Sequence, residues 1–371
     1  MGKKIHIAHI INSFEMGGLE KLLVYFLKEL DHNRFKSSVI GLENIGDLKS
    51  SFESLKVSVF ALQKRKGTDL SLIKKISQII KEQNIHLIHT HNLGSHFYGS
   101  LAAIMSGLKP RVHSQHGIET HFGIKEYLKH QYLNNKNDYF ICVSKGVENF
   151  VRNKWRPRCN LLTIHNGISS SFKNIQITQN VRAQIGIPKN SKVIGHVGRL
   201  SEVKDQSTLI NAFHLLLQKD NNVSLIIIGD GPLKTTLEAI ANDLGIGEKV
   251  YFLGFRNDIR DILNILDVFV LSSLYEGISV ALLEAMITSI PVVVTEVGGN
   301  IEIIKHQING LVVPPKNPLE LAEAIKKILI DKNLSFSLAK TAHETVESKF
   351  SMKAMVDSYG EIYDECFRCN I

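Results

Sequence analysis

The segment Leu274-Tyr-Glu276-Gly277-Ile278-Ser-Val-Ala-Leu-Leu-Glu284-Ala places two carboxylates eight positions apart among apolar residues. Eight residues make about two helical turns, so a helix beginning by Glu276 would put both on one face. A glutamate packed beside Val280, Leu282, Leu283 and Met286 is costly unless it has a partner. Carboxylates accept hydrogen bonds from hydroxyls, so the pair, with Gly277 and Ile278 beside Glu276, suits a polyol such as a sugar. The plainer reading is a helix-start charge at Glu276 and a solvated edge at Glu284.

Two cations stand in His196-Val-Gly198-Arg199-Leu-Ser-Glu-Val-Lys204-Asp205. Gly198 lets a ligand approach the backbone. Arg199 offers a fork and Lys204 a point charge. A helix expected over Asp205–Gln218 would add unpaired N–H groups at its start. Together these suit a diphosphate leaving group. Ile228-Gly229-Asp230-Gly231-Pro232 and Val297-Gly298-Gly299-Asn300-Ile301-Glu302 are further glycine turns that end strands. For Asp230, plain turn chemistry is an equal reading.

In the first half, Met16-Gly17-Gly18-Leu19-Glu20 follows a strand and opens a helix. It lacks the Gly-x-Gly-x-x-Gly spacing of a dinucleotide site, yet it can approach an anion or a sugar. Ser114-Gln115-His116-Gly117 ends another strand, and His116 is the histidine singled out among 16. His89, His91 and Asn92 end the strand before it and are expected to line the same face. No Asp-x-Asp, Walker loop, Gly-x-Ser-x-Gly or His-Glu-x-x-His occurs, so no metal is expected and cations must neutralise the diphosphate.

These residues need sheet rims to hold them. Expected strands in the first half are Ile5–Ile11, Ser37–Gly41, Val57–Leu62, Ile85–His89, Val112–Ser114, Tyr139–Val143 and Leu161–Ile164. Helices are expected at Gly18–Leu30, Leu70–Gln83, Ser95–Ser106, Lys125–Asn134 and Lys145–Asn153. The second half repeats the alternation. Its expected strands are Val193–Val197, Leu225–Ile228, Val250–Leu253, Val268–Leu271, Val292–Thr295 and Gly310–Val312. Helices follow at Asp205–Gln218, Lys234–Leu244, Ile259–Leu266, Ser279–Met286, Leu319–Ile330 and Ser351–Cys366. Such repeats build parallel sheets covered on both faces, here two doubly wound α/β domains with a ligand cleft at the carboxyl ends of their strands. The expected domains are 1–170 and 188–350, joined by a linker at 171–187, with the terminal helix 351–371 returning to the first.

The chain has 371 residues, enough for two ordinary cores, and an ordinary globular composition of 44% hydrophobic and 22% charged residues. Residues 1–175 hold 25 Lys+Arg against 13 Asp+Glu, a balance of +12, which leaves −4 for the rest of a chain of net charge +8. A basic half can face an anionic membrane surface or a phosphorylated substrate. Nucleic acid is not expected, because no aromatic–basic motif accompanies the charge. Cys366 and Cys369 lack a second pair to complete a zinc site. Lys3 and Lys4 precede an apolar run too short for a signal or a membrane span, so a cytoplasmic protein is expected, with peripheral attachment at the inner membrane face.

The set Gly198-Arg199-Leu200 with Lys204, Gly229-Asp230-Gly231-Pro232, Glu276 with Glu284, and Gly298-Gly299 with Glu302 resembles family 4 of the retaining GT-B glycosyltransferases. Gly17-Gly18, Asn166-Gly167 and Phe350…Tyr359…Tyr363 extend the likeness to essentially the whole chain. Lys64-Arg-Lys-Gly67, His89-Thr-His91-Asn92 and His113-Ser-Gln-His116-Gly-Ile-Glu119 look like the branch linked to bacterial exopolysaccharide clusters. The resemblance implies two facing Rossmann-like domains, with the donor bound mostly by the second. It implies Arg199 and Lys204 on the diphosphate, Glu284 on the ribose and Glu276 on the donor sugar. Gly198, Asp230, Gly231, Gly277 and Ile278 would line the donor site. Gly17 and Gly18 would approach the phosphates, and His116 would contact the sugar or the reacting centre. Asn300-Ile301 stands where the family often has proline, and Ile278 where it has phenylalanine. The implied reaction is metal-independent, retaining transfer of a hexosyl unit from a nucleotide-diphosphate sugar, with UDP the expected nucleotide. The acceptor would be a saccharide or a lipid-diphosphate-linked saccharide, and domain closure would hinge at 168–187. No cofactor is expected to stay bound; the nucleotide sugar is a substrate. The rival readings are a sugar-nucleotide epimerase or phosphorylase on the same architecture, or a non-catalytic two-domain binder.

Overall fold

The structure is a computed structural model. It describes residues 4–15, 17–43, 46–118, 123–169, 172 and 181–369, and of 124–126 the backbone alone. In chain order the first strands and helices are β1 (Ile5–Ile11), α1 (Gly18–Glu29), β2 (Phe35–Gly41), α2 (Lys49–Ser54), β3 (Ser58–Ala61), α3 (Ser71–Glu82) and β4 (Leu87–His91). Next come α4 (Asn92–Ser106), β5 (Arg111–Gln115), α5 (Ile124–Asn134), β6 (Tyr139–Cys142), α6 (Lys145–Lys154) and β7 (Asn160–Thr163). A short α7 (Val181–Ile185) leads into β8 (Lys192–Val197), α8 (Gln206–Leu217), β9 (Val223–Ile228), α9 (Lys234–Asp243), β10 (Val250–Phe252), α10 (Ile259–Leu263) and β11 (Val268–Leu271). The chain ends with α11 (Val280–Ile287), β12 (Val292–Thr295), α12 (Asn300–Ile303), β13 (Leu311–Val313), α13 (Pro318–Ile330), α14 (Lys332–Lys349) and α15 (Met352–Arg368).

Two compact units result. One runs through Gly167 and resumes at Met352; the other is Ile168–Ser351. The first holds a parallel sheet in the order β3-β2-β1-β4-β5-β6-β7, the second one in the order β10-β9-β8-β11-β12-β13. In each, the central strands are buried on both faces; in the second unit they read as nearly continuous apolar runs, whereas β1, β4 and β5 of the first carry buried polar residues. Helix α3 carries the matching signal. Leu72, Ile76, Ile79 and Ile80 are buried while Lys74, Lys75 and Lys81 are exposed.

Several elements depart from the expected bounds. Strand β4 runs two residues later than Ile85–His89, so His91 is its last residue and α4 opens at Asn92 rather than Ser95. Histidines at 86, 89 and 91 look polar in sequence, yet 89 and 91 are buried sheet residues. Helices α2 and α14 were not expected. In α14, Leu338, Ala339, Ala342 and Val346 face the core, but polar residues between them blur the period. The expected linker 171–187 lies outside the described residues except at 172 and 181–187. Residues 119–122 also lie outside them, and Ile124–Asn134 form α5, close to the helix expected at Lys125–Asn134.

Helix α15 closes the first unit. Its buried Tyr359 and Tyr363 reach the sheet, where Tyr359 Oη is 2.8 Å from Ser114 Oγ and Tyr363 Oη is 2.6 Å from His89 Nδ1. Cys366 is a buried thiol on this helix and Cys369 is exposed beyond it. The core here is unusually rich in imidazole. Burial lowers His6 to about 4 and His9, His96 and His116 to about 3. His89, His91 and His113 are pushed well below the ordinary histidine value, again by burial first.

A pH dependence follows. These groups stay neutral in the folded protein and take up protons when unfolding restores their ordinary value. Their contribution is complete above about pH 6.5 and is lost as the pH falls toward the folded values, at about 1.4 kcal/mol per histidine per pH unit. The urea midpoint should therefore drop steeply between pH 7 and 5, with several protons taken up on unfolding. A midpoint flat over that range would contradict neutral burial.

Candidate functional site

The second unit gathers its candidate residues on loops after β8, β9, β11 and β12. Gly198 N donates to Ile228 O (2.9 Å) and Leu200 N to Asp230 O (3.0 Å), so the turns after β8 and β9 are bonded backbone to backbone. Gly229 sits at φ +127°, and a Cβ there would lie 2.1 Å from Gly198 O. No side chain fits that approach. The Asp230 carboxylate turns back to accept from Gly231 N at 2.7 Å, so turn chemistry accounts for one of its oxygens.

The loop after β11 brings the first glutamate into place. Helix α11 starts only at Val280, capped by Ser279, whose Oγ accepts from Leu282 N. Glu276 therefore precedes the helix, and the expected shared helical face with Glu284 does not exist: Gly277 and Ile278 carry the chain around a turn first. Both glutamates are nonetheless buried, at 5% and 6% exposure, so neither is a solvated charge. Glu276 Oε1 accepts from Lys204 Nζ at 2.5 Å and from Ser273 Oγ at 2.7 Å. Its carbonyl accepts from Gly299 N at 3.0 Å. A Cβ on Gly299 would lie 1.6 Å from Gly277 O, so the loops after β11 and β12 also touch through bare backbone.

The cations are set from below. A single 3-10 turn, Glu202–Lys204, lies between Arg199 and α8. Ser272 Oγ donates to Lys204 O (3.0 Å) and Leu274 N to Val203 O (2.8 Å), tying that turn to the Glu276 loop. Gln206 Nε2 donates to Arg199 O (2.8 Å) and lies 3.2 Å from His196 Nε2. His196 Nδ1 is 2.9 Å from Val270 O, a carbonyl that can only accept, so the proton is on Nδ1 and Nε2 accepts from Gln206. Burial lowers His196 to about 4, keeping the ring neutral. Arg199 is exposed and Lys204 half-buried.

One expectation is narrowed. The amino end of α8 is not an open anion site, because a carboxylate already stands on it. Asp205 caps it, with Oδ1 accepting from Thr208 N (3.4 Å) and the two oxygens from the Ser207 and Thr208 hydroxyls. A carboxylate already occupies the end of the helix dipole.

In the first unit, Gly17 is the extended residue before α1, with no side-chain cap, and Gly18 begins the helix, exposed. Met16 lies outside the described residues. Glu20, in the first turn, is raised to about 7 by burial, against the lowering effect of its own backbone N–H. His116 follows β5. Its backbone N–H donates to Asn92 Oδ1 (3.0 Å), and its Nε2 lies 3.2 Å from His91 Nδ1.

Sequence reasoning missed Ser273, Gln206, His196 and Thr295, the polar residues that hold the charged ones. Thr295 Oγ1 donates to Ser273 O at 2.6 Å. A partial signal did exist: His196 and Thr295 are polar residues in otherwise apolar strands, whereas Ser273 and Gln206 sit in polar runs that give none. Missed too was His9, which with His89 and His91 has ligand atoms within 4.8 Å of one another.

Comparison with known proteins agrees with the fold. The model of "Glycosyl transferases group 1" matches residues 177–345 and that of "Glycosyltransferase Family 4" residues 16–172. An uncharacterized glycosyltransferase of Methanocaldococcus jannaschii is 32% identical over 292 residues, 75% of this chain and 74% of that one. A UDP-Gal:alpha-D-GlcNAc-diphosphoundecaprenol alpha-1,3-galactosyltransferase of Escherichia coli is 25% identical over 97% of both chains. The crystal structure of Anabaena HepE in complex with UDP and glucose superposes with a TM-score of 0.87 at 24% identity, over 97% of this chain and 100% of that one. Two parallel-sheet Rossmann-like units, family models over both of them and a relative of this identity agree: the chain belongs to the family 4 glycosyltransferases and has the GT-B fold.

Proposed function

We propose that this glycosyltransferase moves a hexosyl unit from a UDP-sugar to a saccharide or lipid-diphosphate-linked acceptor of cell-surface polysaccharide synthesis, with retention and without a metal. The observation that carries the reading is the Lys204–Glu276 pair. A cation and a buried carboxylate are fixed together on the rim formed by the β8 and β11 loops, one suited to phosphate and the other to sugar hydroxyls. The names of the relatives and the UDP held by the HepE structure support the nucleotide and the kind of acceptor.

In this reading Arg199 and Lys204 hold the diphosphate and stabilise the charge that grows on it as the glycosidic bond breaks. Glu284 takes the ribose hydroxyls and Glu276 the donor sugar. Gly198, Asp230, Gly231, Gly277 and Ile278 line that donor site. The donor's leaving oxygen accepts the proton of the attacking acceptor hydroxyl on the same face, which gives retention. Gly17, Gly18 and His116 are what the first unit brings to the substrates. The excess of Lys and Arg in residues 1–175 suits an anionic membrane surface carrying a lipid-linked acceptor, which makes peripheral attachment to the cytoplasmic face part of the proposal.

With a UDP-sugar panel, Lys204→Ala is expected to lower kcat by about 100- to 1,000-fold, the size of losing one charge-stabilising donor. Glu284→Ala is expected to raise donor KM by about 10- to 100-fold, as loss of a hydrogen bond to a charged group does. A near-normal kcat in Lys204→Ala together with an unchanged donor KM in Glu284→Ala would sink the assignment. Separately, EDTA should leave the rate unchanged and the product should keep the donor's anomeric configuration by NMR. Rate loss restored by a divalent ion, or an inverted anomer, would refute those two parts.

A further inference from the structure

Three imidazoles of the first unit, buried at His9 and His91 and half-buried at His116, form a line: His9 Nδ1 lies 3.3 Å from His91 Nε2, and His91 Nδ1 lies 3.2 Å from His116 Nε2. All three rings are neutral, so each carries one N–H. Each contact needs one proton, and only two arrangements supply both. In the first, His116 Nε2–H donates to His91 and His91 Nε2–H to His9, which forces the His9 proton onto Nε2. That atom is buried and has no hydrogen-bond partner among the described residues. In the second, every proton sits on Nδ1, and the atom without a partner is a bare lone pair. Both arrangements leave His9 Nε2 without a partner, and folded proteins tolerate an unpaired buried acceptor more readily than an unpaired buried N–H, which favours the second arrangement. Neighbouring groups do not compete for these protons. His89 packs against His91 at 4.1 Å between ring centroids, but its two nitrogens face Tyr363 Oη and Ser114 Oγ.

We propose that His91, set by His9, is a positioning residue that locks His116 as the neutral Nδ1–H tautomer. His116 then serves the reaction as a hydrogen-bond donor to a substrate oxygen and not as a proton acceptor. The functional half of this rests on the reading above that His116 meets the substrates; the tautomer does not. Asn92 completes the arrangement by holding the His116 backbone N–H through its side-chain oxygen.

The direct test is a long-range 1H–15N correlation on the full-length protein labelled at histidine nitrogens, near pH 7.5. The His116 signals are identified by their loss in His116→Gln. The expected pattern is protonated Nδ1 and bare Nε2. An Nε2–H ring, or an imidazolium, would overturn the proposal. So would a stoichiometric transition metal in the purified protein, because coordination by His9, His89 and His91 would replace these hydrogen bonds.

Kinetics supply the second readout. Asparagine at 91 keeps a polar group where Nδ1 stands, and glutamine keeps one where Nε2 stands. His91→Gln should lose about 10- to 100-fold in kcat with donor KM within about threefold, a loss like that of removing an imidazole's orienting partner. His91→Asn should restore kcat to within about fivefold of wild type. Equal losses in both variants would indicate packing alone and contradict the proposal. If His116→Gln itself turns over normally, the substrate role of His116 fails while the tautomer result stands or falls on the spectrum.

Discussion

The hydrogen-bonded ion pair between Lys204 and Glu276 is the constraint around which the second unit's rim is organised. A carboxylate at 5% exposure cannot stand alone in that setting, and removing the lysine would leave it as a buried charge without its counter-ion. The fold meets the need from both sides. Ser273 gives Glu276 a second donor, while Ser272 and Leu274 fasten the lysine's turn to the glutamate's loop. Gly229 and Gly299 then let the neighbouring turns come within backbone contact. The glycines that flag the site in sequence are thus mainly packing devices that allow four loops to meet.

The first unit solves a different problem with different chemistry. Its sheet is cored by histidines that burial keeps neutral, and its last helix arrives from beyond the second unit to supply two tyrosine hydroxyls to that polar interior. Neutral imidazoles donate and accept at once, so they can form chains that carboxylates or lysines could not form without a charge. The cost is sensitivity to acid, and the gain is a fixed tautomer at the residue that leaves the core, His116. The two units therefore reach their polar groups by separate means: an ion pair on loops in one, a hydrogen-bond chain rooted in strands in the other.

Much of this was legible in the sequence because backbone physics writes it there. Doubly buried parallel strands of the second unit read as apolar runs, and Arg199, Lys204, Glu276 and Glu284 stand out as charges beside glycine turns. What was not legible is instructive. Spacing alone suggested that Glu276 and Glu284 share a helical face, but the Ser279 cap starts the helix four residues after Glu276. Asp205 looked like the first residue of a helix with an open end, yet it is the cap, and its own carboxylate already stands on that end. His89 and His91 were expected to line a face with His116, yet both are buried in the sheet, because no sequence pattern distinguishes an imidazole at a ligand face from one satisfied inside a sheet. Ser273 and Gln206 went unnoticed because their partners lie 3 and 7 residues away through folded turns.

The account turns on where the donor's charge is received. A crystal structure of the full chain with a UDP-sugar tests that most directly. The account predicts diphosphate oxygens within hydrogen-bond reach of Arg199 and Lys204, ribose hydroxyls on Glu284 and a sugar hydroxyl on Glu276. A nucleotide bound with its diphosphate away from both cations, and with the Lys204–Glu276 pair and Glu284 untouched, would contradict it.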